Sequence, residues 1–112
     1  MEIEILKSKI HRARVTGADL DYVGSITIDE NWMKQAGLYE FEKVHVLNIN
    51  NGERFETYVI KGTKGSHDIV LNGAAARKVQ TGDLVIIMAY TRIDSKDVEN
   101  QHPRIVMAEE LV

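Results

Sequence analysis

Four groups of residues in this chain have types and spacings that can carry chemistry. The first is Gly24-Ser25, inside Tyr22-Val23-Gly24-Ser25-Ile26. A serine hydroxyl can attack the carbonyl just before it and turn that amide into an ester. Glycine before the serine leaves the attacked carbonyl uncrowded and tolerates strained backbone angles. Removal of the serine α-proton then cleaves the chain by β-elimination. The new terminus is dehydroalanine, which hydrolyses to a pyruvoyl group, and only serine gives that product. Water and a main-chain carbonyl both stand as candidates for the base. Taken alone, Gly-Ser reads first as a plain turn before a strand.

The second group is Arg54 and Tyr58, four residues apart in an alternating run, so both point to one strand face while Phe55 and Thr57 point to the other. A guanidinium can grip a carboxylate in a forked contact, and a nearby phenol can donate a proton. Exposed Arg and Tyr on a hairpin are the plainer explanation. The third group, Asn72-Gly73-Ala74-Ala75-Ala76, joins a strand to a helix. N–H groups at such a start can hold an anion or a carbonyl, and small side chains let a ligand come close. A tightly packed helix start fits the same residues. The fourth is Lys9 and His11, which share a strand face and offer a cationic patch or simply a solvated one. His11, His45, His67 and His102 have no metal-binding spacing, and neither GxGxxG nor a Walker loop occurs, so no metal and no nucleotide are expected.

The elements that must position these groups are mostly short strands. Ile5 to Val15 reads as a strand with Ile5, Lys7, Lys9 and His11 on one face and Leu6, Ser8, Ile10 and Arg12 on the other. Ser25 to Ile28 is β-branched and continues into a short helix, capped by Asp29 and stopped by Gly37, with Trp32 and Met33 expected in the core. Phe41–Ile49 and Arg54–Ile60 flank Asn50-Asn51-Gly52-Glu53, a hairpin turn. Ile69 to Leu71, Leu84 to Tyr90 and Ile105 to Met107 read as further strands, Leu84 to Tyr90 a central one, and Ala74 to Val79 as a second short helix. Many short strands with two brief helices predict a closed or nearly closed barrel.

Composition sets the outer bounds. At 112 residues the chain is sized for one domain spanning 1–112, and no linker or repeat divides it. The absence of cysteine removes disulfide scaffolds, thiolate zinc sites and cysteine nucleophiles. The hydrophobic share is 44% and the charged share 28%, values that exclude bulk disorder. A net charge of -3 argues against nucleic acid, no apolar run suggests a membrane, and the start of the chain does not read as a signal peptide, so a cytoplasmic protein is expected.

Taken in order, Leu6 to Thr16, Ala18-Asp19-Leu20, Tyr22 to Ser25, Asn51 to Tyr58, Asn72 to Arg77 and Gly82 to Ile87 resemble the pyruvoyl-dependent aspartate decarboxylases. That resemblance implies a mainly β fold, a double-psi β-barrel with short helices. It implies a homotetramer with active sites between subunits. It also implies self-cleavage between Gly24 and Ser25 into a β chain of residues 1–24 and an α chain of residues 25–112, with Ser25 becoming a covalent pyruvoyl group and no pyridoxal phosphate needed. The reaction so implied turns L-aspartate into β-alanine and CO₂ through a Schiff base, for pantothenate and coenzyme A synthesis. Tyr58 matches the family's proton donor. Thr57, Gly73, Ala74 and Ala75 match its substrate contacts, and Lys9, His11, Arg54 and Asn72 fall where its pocket is lined. Chains of this family commonly run past the position of Val112, whereas this one stops after Ala108-Glu109-Glu110-Leu111-Val112, which leaves a covering role for its C-terminal tail open. The rival reading is a non-enzymatic β-barrel interaction module in which Gly24-Ser25 is only a turn.

Overall fold

A computed structural model describes residues 1–108; the end of the chain after Ala108 lies outside the described residues. Among the described residues there are eight strands: β1 (Glu2–Arg14), β2 (Gly17–Asp19), β3 (Ser25–Asp29), β4 (Lys43–Asn48), β5 (Arg54–Gly62), β6 (Ile69–Asn72), β7 (Leu84–Asp94) and β8 (Arg104–Met107). Helix α1 (Glu30–Ala36) and two 3₁₀ turns, Gly73–Lys78 and Ser95–Asn100, complete it. The strands lie in the order β2-β6-β3-β5-β4-β7-β1-β8. The β1–β2 corner bends the sheet round: Val15 N–H donates to Asp83 O at 2.8 Å, near β7, and Thr16 N–H to Ile69 O at 2.8 Å, on β6. One continuous segment thus pairs with β7 at its start and β6 at its end, drawing the sheet into a barrel.

Period-two alternation packs the interior. Along β4, Val44, Val46 and Asn48 point inward while Lys43, His45 and Leu47 point out. Along β7, Val85, Ile87 and Ala89 are buried and Ile86, Met88 and Tyr90 half-buried. β7 is central, between β1 and β4, but its second face is less covered than a continuous apolar run suggests. The hairpin of β4 and β5 pairs Lys43 with Tyr58 through to Leu47 with Arg54 without a slip.

Three places differ from simple alternation. In β1, Ser8 and Ile10 share a buried face, but the next inward residue is Ala13 rather than Arg12. The pairing with β7 slips between Leu6 and Ser8 and again between Ile10 and Ala13, and Arg12 takes φ 59°. A bulge of this kind re-aims every side chain beyond it. Phe41 does not start β4; it sits before it with φ 71°. The second short helix is a 3₁₀ turn opening on Gly73.

Helix α1 keeps its predicted boundaries, with Gly37 at φ 70° closing it and Trp32 and Met33 buried. Asp29 does more than cap. It is fully buried, and its carboxylate accepts N–H bonds from Asn31 at 2.8 Å, Gly65 at 3.0 Å and His67 at 2.8 Å. Burial pushes this carboxyl up, but the three N–H bonds and the nearby His67 outweigh it and hold the pKa below the usual aspartate range. A depressed folded-state pKa contributes stability that is present above the unfolded value, about 3.9, and lost as pH falls below it. Asp29→Asn should therefore lower stability at pH 7 by roughly 1–3 kcal/mol, because the amide cannot satisfy three donors. The gap to the parent should narrow as pH falls below about 4. Urea melts across that range check this; a gap independent of pH would reject the charged role.

Candidate active site

Ser25 is the first residue of β3 and only 1% exposed, whereas Tyr22 and Val23 just before it are 57% and 71% exposed. The Gly24–Ser25 bond therefore sits where an open loop enters the barrel wall. β3 pairs antiparallel with β6, and the partner of Ser25 is Asn72. Asn72 Nδ2 donates to Ser25 Oγ at 2.9 Å and to Thr27 Oγ1 at 3.1 Å. Ser25 Oγ in turn donates to Val23 O at 3.3 Å. The hydroxyl is thereby held at both ends, its hydrogen aimed back along the loop and a lone pair toward Asn72. Asn72 stands at the head of the 3₁₀ turn, yet its side chain makes no capping bond there. A residue that favours caps forgoes one to hold Ser25.

Gly73 follows at φ 67°. A Cβ at this position would lie 2.7 Å from Gly24 Cα and 2.8 Å from Gly24 N. Backbone conformation and space both demand glycine here, and the Gly24 backbone rests directly on it. Beyond Gly73, the first N–H groups of a 3₁₀ turn have no intrahelical acceptor. Ala74 is exposed and Ala75 half-buried, so this end of the turn borders solvent next to the scissile bond.

On its other side β3 runs parallel to β5, with Ile26 paired to Val59. Thr57 and Tyr58 thus lie at the Ser25 end of the adjacent strand, Thr57 on the face of Phe55 and Val59, Tyr58 on the opposite one. Arg54 and Glu56 share the face of Tyr58. Arg54 is exposed and, among the described residues, makes no hydrogen bond or ion pair. Glu56 accepts Lys43 Nζ at 3.2 Å and His45 Nε2 at 3.1 Å. The hydrogen bond and charge of Lys43, with help from His45, hold its carboxyl below the usual glutamate range. Glu56 is therefore a fixed anion, already balanced, rather than a proton donor.

Lys9 and His11 are not brought to Ser25. The pairings run Lys9–Met88, Met88–His45 and His45–Glu56, so β7 and β4 separate β1 from β5. Lys9 shares the outer sheet face with Glu56 and Tyr58 but lies three strand spacings away, about 14 Å.

Residues 1–111 match the family described as aspartate decarboxylase. The chain belongs to the aspartate decarboxylase family. Among similar proteins, aspartate 1-decarboxylase of Caldicellulosiruptor bescii is 67% identical over 98% of this chain and 86% of its own length. Aspartate 1-decarboxylase of Campylobacter fetus is 62% identical, and that of Flavobacterium psychrophilum 57%, each over 98% of this chain and 95% of its own length. Two designed proteins of the double-psi β-barrel type, msDPBB_sym2 and mkDPBB_sym_86, have TM-scores of 0.54 and 0.53 at 22% and 20% identity. They cover 77% and 74% of this chain and 98% and 91% of their own, and they support the barrel fold alone.

Within this aspartate decarboxylase family member, Gly24, Ser25, Asn72 and Gly73 are in direct contact, and Thr57 and Tyr58 lie on the next strand. Sequence reasoning missed Thr27, which shares the Asn72 amide with Ser25. Its position two residues along the same strand face was the available signal. It also missed Phe41, whose ring lies 6.3 Å from that of Tyr58 at 43°, and the Lys43–Glu56–His45 ion cluster, which only cross-strand register reveals. Among the described residues no helix is long and apolar enough to cross a membrane.

Proposed function

We propose that this chain cleaves itself between Gly24 and Ser25 and then converts L-aspartate to β-alanine and CO₂, a step toward pantothenate. The observation that carries the reading is the buried Ser25 hydroxyl, held at 2.9 Å by Asn72 beside a Gly24 backbone that rests on Gly73. In the maturation step Ser25 Oγ attacks the Gly24 carbonyl carbon, and the amide becomes an ester. A base takes the Ser25 α-proton, the Cβ–O bond breaks, and Gly24 leaves as a carboxylate. The dehydroalanine at position 25 tautomerises, takes up water and releases ammonia. The exposed Tyr22–Gly24 segment is free to swing away once cut, opening the site to solvent.

A pyruvoyl group would fit at position 25, because Asn72 Nδ2 stands there as a donor once Ser25 Oγ has left with Gly24, and the side-chain-free Gly73 borders the place that the Gly24 backbone vacates on cleavage. The group supplies an acceptor for the electron pair left on carbon when CO₂ departs, which no ordinary side chain can do. The chain's own residues do the rest. N–H groups at the start of the 3₁₀ turn and the Asn72 amide hold oxygens bearing negative charge. Tyr58 delivers a proton to the carbon that lost CO₂. Arg54, an unpaired guanidinium on the face of Tyr58, holds the β-carboxylate. Gripping the departing α-carboxylate instead would stabilise the ground state more than the transition state, since that charge migrates away.

Lys9 and His11, about 14 Å from the Tyr58 strand in one subunit, join this pocket from a second copy. An outward apolar strip supports such an assembly: Leu47, Ile86 and Met88 are half-buried, and Ile105 and Met107, opposite Lys9 and His11, are exposed. We take the assembly to be the family's homotetramer.

Intact-mass measurement on purified protein tests the reading, paired with an assay for CO₂ and β-alanine. Two fragments split after Gly24, the larger without a free amine, and β-alanine from aspartate are expected. An uncut chain with no turnover returns the molecule to the interaction-module class. For the Arg54 assignment, Arg54→Ala should lower kcat/KM for L-aspartate roughly 10- to 100-fold, the worth of a charge-assisted contact. It should leave the capture of an amine analogue that lacks the β-carboxylate, read as a borohydride-trapped adduct, nearly unchanged; equal losses on both would move Arg54 to another role.

A further inference from the structure

Phe41 occupies a backbone conformation that a bulky side chain rarely takes. Its φ is 71°, in the left-handed region that glycine and asparagine favour. Burial does not offset that strain, because Phe41 is 69% exposed. Two backbone bonds fix the conformation: Phe41 N–H donates to Val59 O at 2.7 Å, and Val59 N–H donates to Glu42 O at 3.0 Å. The turn is thereby clasped to the residue next to Tyr58. From it the Phe41 ring projects onto the phenol, with centroids 6.3 Å apart and planes at 43°, within the range of a favourable aromatic pair. On the neighbouring strand Lys43 stands directly across from Tyr58. The phenol is therefore flanked by the Phe41 ring, while the Lys43 ammonium is turned to Glu56 at 3.2 Å. Strain held in place at one residue, with its side chain spent on the proton donor rather than on the core, is the pattern of a functional device.

We propose that Phe41 is a positioning residue for Tyr58, holding the phenol in the rotamer that delivers its proton and screening it from water. This rests on the reading of Tyr58 as the donor. An aromatic pair of this kind biases a rotamer equilibrium by roughly two- to tenfold. That factor should appear in kcat and not in KM, since a residue that acts only through the phenol changes proton delivery and not substrate binding.

The test uses Phe41→Asn and Phe41→Tyr, each in the full chain and also combined with Tyr58→Phe. Asparagine suits the left-handed backbone, so Phe41→Asn should process completely, keep the parent's native mass, and melt at the same temperature or higher. Its kcat should fall roughly two- to tenfold with KM little changed, and Phe41→Tyr should restore it. In the Tyr58→Phe background Phe41→Asn should cost nothing further. The proposal is overturned by an unchanged kcat in Phe41→Asn, by an equal fall in both backgrounds, or by a fall that follows a change in native mass. Full turnover by Tyr58→Phe alone would instead remove the donor reading beneath it.

Discussion

Ser25→Ala is expected to remain one uncut chain with no decarboxylation above background. Alanine keeps the Cβ and removes only the hydroxyl, so neither the start of β3 nor the pairing with Asn72 need change. Asn72 Nδ2 loses one of its two acceptors and retains Thr27 Oγ1. The cost in stability is that of one hydrogen bond, about 1 kcal/mol. A protein that melts within a few degrees of the parent yet shows a single mass and no β-alanine separates loss of chemistry from loss of fold. Without Oγ there is no ester, without the ester no β-elimination, and without elimination no keto group at position 25. Turnover by the uncut variant would mean that the electron sink lies elsewhere, and the mechanism would have to be abandoned.

Local chemistry made much of this arrangement legible before any coordinates. Asp29 and Gly37 bound α1 because a side-chain acceptor at one end and a left-handed residue at the other are local requirements. Asn50 to Glu53 marks a turn for the same kind of reason, with Gly52 at φ 76°. What stayed hidden depends on pairing across the chain. The β1 bulges follow from fitting β1 to β7 and then turning into β2, and Arg12 carries no local sign of its positive φ. Phe41 looks like the first residue of an alternating strand, and the bonds that it and Glu42 make with Val59 hold it otherwise. β2, three residues long, has no pattern of its own and exists because β6 is there to receive it. In the site, Arg54 and Tyr58 shared a face by simple period two. The contact between Asn72 and Ser25 required antiparallel register between strands far apart in sequence. Lys9 and His11 show the limit most clearly: motif resemblance groups them with the pocket, while pairing within one subunit keeps them away.

Tyr58→Phe should process as the parent does and lose about 10²- to 10⁴-fold in turnover, the usual contribution of a placed proton donor. In the proposed maturation, processing draws on Ser25, Gly24, Asn72 and Gly73, and by family resemblance on Thr57, none of which is hydrogen-bonded to the phenol oxygen. Phenylalanine also keeps the ring that packs against Phe41, so the local structure survives. The neighbours cannot take over. Glu56 is held as a carboxylate by Lys43 and His45 and has no proton to give near neutral pH. Arg54 does not release a proton in proteins. Lys9 and His11 are held away from Tyr58 by β7 and β4 within one subunit. Water remains, and water attacks from no fixed side. Turnover in D₂O therefore distinguishes the two sources. The parent should place one deuterium stereospecifically at the carbon that lost CO₂, because a phenol fixed on one face delivers to one face. The residual product of Tyr58→Phe should carry that deuterium in both configurations. If it keeps a single configuration at the parent's rate, some other fixed group on the same face is the donor, and Tyr58 only shapes the pocket.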